Sequence, residues 1–405
     1  MLAFKNALLI DGTGREPQKN VNLIIDNKKI VAVGTNIKIP ESAVVIDLEG
    51  LTILPGFIEA HLHMGGITKI ANLRSTSFGG SFLTNNYEDL RMSTLKCGVT
   101  TVRSCGDYLD DAVKLRNAIE NDEFVGPRII TCGRSFQQKG GHPGSTVWRN
   151  DPKILHAAAA LPDTAEEAIA IVRELAKAGV DFIKIIINNI NLVTLKESVP
   201  KISFDIVKAI TDEAHKYGLL VAAHCENIQD ALKAVNLGVD NIEHLIIPYP
   251  EQIEINEEVL NDLFSLMVEK GTYLTPTAVV SKIHGNNDSH MTNYIFKKAF
   301  DAGVKITMGT DSGAPGVHHG EALHFELDIM VNQIGIPPLD IIKAVTKTNS
   351  ELIGKSNIIG TIEKGKLADL LIISGNPTED ISTTKNVKMV IKNGEIIIDN
   401  FPKKY

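Results

Sequence analysis

Leu54-Pro55-Gly56-Phe57-Ile58-Glu59-Ala60-His61-Leu62-His63 is an apolar run that ends in two histidines one residue apart. On a β-strand, side chains at i and i+2 leave the same face. His61 and His63 therefore project together from a strand end. They read either as paired imidazole ligands of one metal ion or as two histidines that merely flank a leucine.

Toward the C-terminus, strand-like apolar runs alternate with helix-length amphipathic segments. The strands read at 53–61, 100–104, 128–132, 182–187, 220–224, 241–244, 272–274 and 305–309. Helices read at 86–96, 110–121, 164–177, 204–217, 228–237, 256–270 and 294–302, and several stop at a glycine suited to a C-cap: Gly98, Gly179, Gly218 and Gly303. Alternating β and α elements imply an α/β fold with a parallel sheet and right-handed crossovers. Eight such strands predict a closed (β/α)8 TIM barrel. The rival, an open doubly wound sheet, lacks a Gly-X-Gly-X-X-Gly after the first strand. Residues 133–160 are rich in Gly, Gln, Lys and His and read as a long irregular loop at the C-terminal rim of the barrel. Residues 321–354 read as helical.

Both ends of the chain read as short strands. They fall at 7–10, 21–25, 29–34 and 44–48, and again at 370–373, 387–391 and 395–398, the last two joined by the hairpin signal Asn393-Gly394. The expected division is a small β-sandwich domain built from 1–53 and 358–405 around a barrel of 54–357.

Composition narrows the function classes. The chain has 405 residues, 43% hydrophobic and 22% charged, which suits a soluble globular protein. It contains no run of about 18 apolar residues, so no membrane span is expected, and the N-terminus lacks the basic and apolar regions of a secretory signal. Cys97, Cys105, Cys132 and Cys225 show no paired spacing, which predicts free thiols and a cytoplasmic location. A net charge of −8 without a Lys/Arg-rich block argues against nucleic acid as a partner, and the mildly basic tail Pro402-Lys403-Lys404-Tyr405 reads as a solvated end.

Functional residues of a βα-barrel lie at the C-terminal ends of its strands. Strand 1 ends in His61 and His63, strand 4 carries Lys184, strand 5 ends in His224, strand 6 in His244 and strand 8 in Asp311. Each has a plain structural reading alone; Asp311, in Thr-Asp-Ser-Gly, can simply cap a turn. Lys184 is harder to dismiss, because a lysine between Ile183 and Ile185 is costly to bury unless it is paired or chemically altered. Six ligand-type residues on five strand ends point together to a metal site.

The same residues resemble the amidohydrolase superfamily of metal-dependent hydrolases. The matching stretches are Pro55 to His63, Lys184, His224, His244 and Gly309-Thr310-Asp311-Ser312, with Gly360 to Leu370 similar to the family's return from barrel to β-sandwich. The resemblance implies two divalent metal ions, zinc by default, bridged by a carbamylated Lys184. His61, His63 and Asp311 would hold the more buried ion, and His224 and His244 the more exposed one. The chemistry agrees: two cations sharing a water lower its pKa, so a metal-bound hydroxide attacks an amide carbon, one ion polarises the carbonyl, and Asp311 shuttles the proton to the leaving group.

Gly98 to Arg103, Gly140-Gly141-His142, Asp181 to Lys184 and His319 to Leu323 further resemble the group containing Xaa-Pro dipeptidases, zinc-dependent arginine carboxypeptidases and imidazolonepropionase-related proteins. Lys184 argues against imidazolonepropionase itself. His142 resembles a residue that contacts the substrate carbonyl, or is a loop histidine without a role. Arg103 either forks a substrate carboxylate or makes a structural ion pair. Two departures stand out. Asn188-Asn189 follow strand 4 where peptidase-like members have a Thr-Gly-Gly type sequence. Glu226 stands where some dipeptidases carry a tyrosine, and its charge favours a cationic or neutral substrate group over a carboxylate.

The expected enzyme, a homo-oligomer, cleaves an amide bond of a dipeptide or N-acyl amino acid. A deaminase, a cyclic-amide hydrolase or a lactonase on the same scaffold is the alternative, and a barrel that has become a binding protein is a third reading.

Overall fold

Phe57–Leu62 pairs in parallel with Val99–Ser104, and Val99–Ser104 with Arg128–Thr131, as a three-stranded sheet. A second parallel sheet of seven strands runs in the order Ala159–Ala160, Ser135–Phe136, Ile183–Ile187, Val221–Cys225, Asn241–His244, Tyr273–Thr275 and Lys305–Ile306. These come from a computed structural model that describes residues 1–64, 81–190, 198–245, 255–284 and 289–401. The tail Pro402 to Tyr405 lies outside the described residues.

The expected single barrel thus appears as two parallel sheets, joined at both edges by a few main-chain hydrogen bonds. Asp181 N donates to Thr131 O (2.8 Å) on one side. On the other, Ala60 N donates to Met308 O (2.9 Å), and Thr310 N and Asp311 N both donate to His61 O (3.1 and 2.8 Å). The regular ladder stops where Lys305–Ile306 ends, because the chain beyond it bends to make these bonds to the first strand. A cluster of Ile58, Cys105, Ile130, Cys132, Phe182 and Ala222 is drawn from both sheets.

Helices pack on the outer faces of the strands. Ala165–Ala178 shows why they form where they do. Thr164 caps its first turn by accepting from Glu167 N. Ala168, Val172 and Leu175 recur at helical spacing and are buried. Gly179, at φ 82°, closes it in the left-handed region that a side chain disfavours. The expected helical stretch 321–354 contains Glu321–Asp328, Pro338–Lys343 and Asn349–Leu352, linked by wider π-type turns at Ile329–Gln333 and Ala344–Thr348. Among the described residues no helix is long and apolar enough to cross a membrane.

Two expectations change. The run 53–61 is two strands, because Gly56 breaks it. A Cβ at Gly56 would sit 2.3 Å from Thr100 Oγ1, so only glycine lets the chain pass this close. Residues 133–160 are less irregular than their composition suggests. They hold the short strands Ser135–Phe136 and Ala159–Ala160, and the helix Pro152–Ala158 capped by Asp151.

Thr52–Pro55 belongs to a third sheet in which both ends of the chain meet. Its order is Glu395–Asp399, Val387–Lys392, Leu370–Ile373, Thr52–Pro55, Leu2–Leu9, Gln18–Asp26 and Lys29–Gly34, with Val44–Asp47 also paired to Leu2–Leu9. Asn393 (φ 51°) and Gly394 (φ 79°) make the expected tight turn. The sheet has its own apolar cluster, including Phe4, Leu23, Ile53, Leu370 and Ile391.

Candidate metal centre

Glu59 fixes the ends of the first and last parallel strands against each other. Its Oε1 accepts from His61 N (3.1 Å) and Thr310 N (2.9 Å), and its Oε2 from Thr310 Oγ1 (3.0 Å). The carboxyl is buried, which pushes its pKa up to about 8. This stitch places Asp311, in the left-handed region at φ 57°, opposite the two histidines. Asp311 Oδ1 lies 3.0 Å from His63 Nε2 and 3.4 Å from His61 Nε2. Burial alone would raise the Asp311 pKa, but the two imidazoles beside it hold it well below the usual carboxylate range. Yet Oδ1 accepts no well-formed hydrogen bond from either ring. Donor atoms about 3 Å apart are what one divalent ion bound to N and O ligands at about 2.1 Å requires, a spacing that Asp311 Oδ1 keeps with each ring nitrogen.

The remaining imidazoles each commit one nitrogen to a neighbour. His63 Nδ1 donates to Gly106 O (2.9 Å), which leaves Nε2 free. His244 Nδ1 meets Thr277 Oγ1 (2.7 Å), again leaving Nε2. His224 is the reverse: its Nε2 meets Glu226 Oε1 (2.9 Å), leaving Nδ1. Fixing one ring nitrogen through a second partner orients the other toward a metal. Ring centroids lie 5.6 Å apart for His61 and His63, 4.9 Å for His61 and His244, and 4.5 Å for His224 and His244. Burial pushes the His61 pKa down to about 3 and those of His224 and His244 well below the ordinary value. All three are therefore neutral, the form that can bind a metal. One donor atom each of His61, His244 and Asp311 fall within 4.8 Å of one another.

His244 reaches this group by a backbone device. Along Asn241–His244, alternation would set His244 opposite Glu243. His244 and Leu245 instead adopt φ 70° and 66°, which turns the chain as the strand ends.

Lys184 lies beside this group, 1% exposed, paired with the carboxylate of Glu243. Burial pushes its amine down to about 8. Glu243 Oε1 also accepts from Arg103 Nη1 (3.1 Å) and lies 3.3 Å from His61 Nδ1. Arg103 donates to Asn241 Oδ1 (2.8 Å) and Ala60 O (3.3 Å) and stacks 3.9 Å from the Phe182 ring. It is 1% exposed, so its guanidinium is enclosed among these partners and offers no free fork.

His142 comes to the site from the 133–160 segment, with its ring 5.5 Å from that of His224 and its Nδ1 2.7 Å from Thr146 Oγ1. Burial pushes its pKa down to about 4. Glu226 is buried too; burial, and then Asp230 nearby, raise its pKa well above the ordinary value. Glu59, Gly106, Glu243 and Thr277 escaped the sequence reading. Glu59 and Glu243 carried a signal, since both are acids within two residues of a ligand-type histidine on an apolar strand. Thr277 and the Gly106 carbonyl carried none, because their contacts join segments far apart in the chain.

The amidohydrolase family profile matches residues 52–397. An ochratoxinase of Aspergillus niger is 26% identical over 95% of this chain and 83% of its own length. An imidazolonepropionase of Fusobacterium nucleatum is 24% identical over 93% of this chain and 92% of its own. The crystal structure of a Xaa-Pro dipeptidase with bound methionine superposes with a TM-score of 0.81 at 29% identity, covering 98% of this chain and 99% of that one.

Proposed function

We propose, from the chain's membership of the amidohydrolase family, that this hydrolase of carbon–nitrogen bonds is a binuclear metal enzyme acting on a small amide, a dipeptide or an N-acyl amino acid. The observation that carries the metal reading is Asp311 Oδ1 facing nitrogens of His63 and His61 at 3.0 and 3.4 Å; the second ion rests on the adjoining rings of His224 and His244, 4.5 Å apart, and on the family resemblance. His61, His63 and Asp311 would hold one ion, and His224 Nδ1 and His244 Nε2 the other. Lys184 would bridge them as a carbamate. Zinc suits a histidine-rich set. Bound there, the ions would supply an activated water and polarise the scissile carbonyl.

The chain's own residues do the rest. Asp311 takes the proton that the attacking water loses and gives it to the leaving nitrogen as the carbon–nitrogen bond breaks. Glu59 keeps Asp311 and His61 in register. His142, beside His224, is placed to donate to the substrate carbonyl oxygen. Glu226 orients His224 through Nε2, which gives it a positioning role besides any contact with substrate. Arg103 holds Glu243, so the ion-pair reading of Arg103 is favoured over a substrate fork. If Lys184 becomes a carbamate, Arg103 is the cation left to balance Glu243.

In this reading the two parallel sheets act as one (β/α)8 ring, supported by the bonds at both edges, and the sheet of the chain ends forms a separate unit on residues 1–53 and 358–405. The substrate class draws on the relatives, whose names describe an ochratoxinase and a Xaa-Pro dipeptidase. A cyclic amide is the second reading, favoured by the similarity to an imidazolonepropionase. Metal analysis with a turnover screen of dipeptides, N-acyl amino acids and cyclic amides tests both. About two ions per chain with turnover of the first two classes is expected. Turnover of cyclic amides alone would move the assignment to the second reading, and no turnover of any of them overturns both.

A further inference from the structure

We infer that Glu326, which lies outside the ligand group, is a positioning residue for His244 and acts through Thr277. The inference rests on the reading that His244 holds an ion.

Thr277 follows the strand Tyr273–Thr275 and sits at φ 49°, in the left-handed region that a β-branched residue strongly disfavours. Its hydroxyl meets His244 Nδ1 at 2.7 Å, and that contact leaves Nε2 for the metal. His244 is itself left-handed at φ 70°. Both partners of the hydrogen bond are thus held in backbone shapes that their local sequence does not favour. Such shapes persist only where surrounding structure imposes them.

Glu326 supplies that constraint on the Thr277 side. It lies on Glu321–Asp328 and is fully buried. Its two oxygens divide between successive amides: Oε1 accepts from Ala278 N at 2.9 Å and Oε2 from Val279 N at 2.7 Å. These are the two residues directly after Thr277, so the carboxyl grips the chain where it leaves the left-handed residue. No cation pairs with Glu326 among the described residues. A buried acid whose contacts are two amides is costly to keep, and its site of action is the turn that presents the Thr277 hydroxyl. The path is short and continuous: the Glu326 carboxyl, the amides of 278 and 279, the Thr277 hydroxyl, His244 Nδ1 and the metal-facing Nε2. Outer partners of metal-binding histidines typically change metal affinity by about 10- to 100-fold.

Zinc binding to the full chain, stripped of metal and measured by equilibrium dialysis, tests this. The wild-type protein is compared with Glu326→Ala, Glu326→Gln, Thr277→Val and Thr277→Ser, and circular dichroism reports folding. Wild type should bind two ions. In Thr277→Val and Glu326→Ala the more loosely held ion should bind about 10- to 100-fold more weakly while the tighter one is kept. Thr277→Ser should bind like wild type, and Glu326→Gln, which keeps one acceptor oxygen, should fall between. The cobalt-loaded protein should show a changed visible spectrum in the weakened variants alone. Two ions at wild-type affinity in either Thr277→Val or Glu326→Ala would overturn the inference and leave the two-ion reading standing. If Glu326→Ala does not fold, wild-type affinity in Thr277→Val or in Glu326→Gln overturns it. A wild-type chain that binds one ion refutes the two-ion reading, and the inference then stands if that ion is weakened in Thr277→Val and Glu326→Ala and falls if it is not; a wild-type chain that binds none refutes both.

Discussion

Glu243 divides its carboxylate between two buried cations: Oε1 accepts from Arg103 Nη1 at 3.1 Å, and Oε2 meets Lys184. Arg103 also donates to Asn241 Oδ1 and Ala60 O, so removing it breaks a buried pair and leaves buried acceptors short of a donor. Arg103→Met should therefore destabilise the protein by about 3–5 kcal/mol, the usual cost of breaking a buried pair. Denaturant unfolding of the metal-free protein measures it, and a change below about 1 kcal/mol would show that Arg103 is not what stabilises Glu243.

Lys184→Ala should lower metal content and abolish turnover, since Lys184 is the proposed bridge between the two ions. Elemental analysis beside a kinetic assay reads both. Full activity in this variant would refute the bridging role.

His142→Ala should reduce kcat/KM by about 100-fold, the scale of losing one preorganised donor to a developing oxyanion, with metal content unchanged because no ligand is touched. Loss of metal instead would assign His142 to the metal set.

Glu326 gives a pH signature in stability. Burial raises its carboxyl to about 7 from an ordinary 4.5, so the folded state holds this proton more tightly than the unfolded chain. Its contribution is therefore complete below about pH 4.5 and is lost as pH rises through about 7. Glu326→Gln cannot titrate, so the stability difference, wild type minus variant, should decrease across that window by an amount on the order of a few kcal/mol. Urea unfolding of the metal-free proteins at several pH values checks this, and a difference independent of pH would contradict it.

Gly56→Ala places a methyl 2.3 Å from Thr100 Oγ1 and 2.5 Å from its Cγ2. Overpacking of this kind costs about 1–3 kcal/mol. Thr100→Ala in the same chain should recover part of the loss, because it removes both atoms. Additive effects of the two substitutions in thermal unfolding would mean that the clash is relieved elsewhere.

The sequence carries much of this architecture in residues whose signals are local. The alternation of strand and helix, the glycine stops such as Gly179 and the Asn393-Gly394 turn all depend on neighbours in the chain, and each has its counterpart in the structure. The residues His61, His63, Lys184, His224, His244 and Asp311 were legible as a group because strand ends of a βα fold gather on one face. What was not legible depends on contacts between distant segments. The pairing of Lys184 with Glu243 needs two strands in register. The bond from Thr277 to His244 needs two left-handed residues that no propensity favours. The two short strands within 133–160 are too brief for a periodic signal and exist because Phe136 finds Ile185 as a partner. Arg103 was equally balanced between a fork and an ion pair until its neighbours were known.

The sheet of the chain ends has a consequence for how the molecule is made. Thr52–Pro55 lies between Leu2–Leu9 on one side and Leu370–Ile373 on the other. During synthesis the early strands emerge with one edge unpaired, and the strand that covers it comes off the ribosome only after all the parallel strands have been translated. Contacts so remote in sequence close late and slowly, and an open edge is a template for unwanted pairing while it waits. The N-terminal strands thus wait through the synthesis of the whole parallel-strand region for this partner, and a chain cut short before Leu370 leaves that edge open for good.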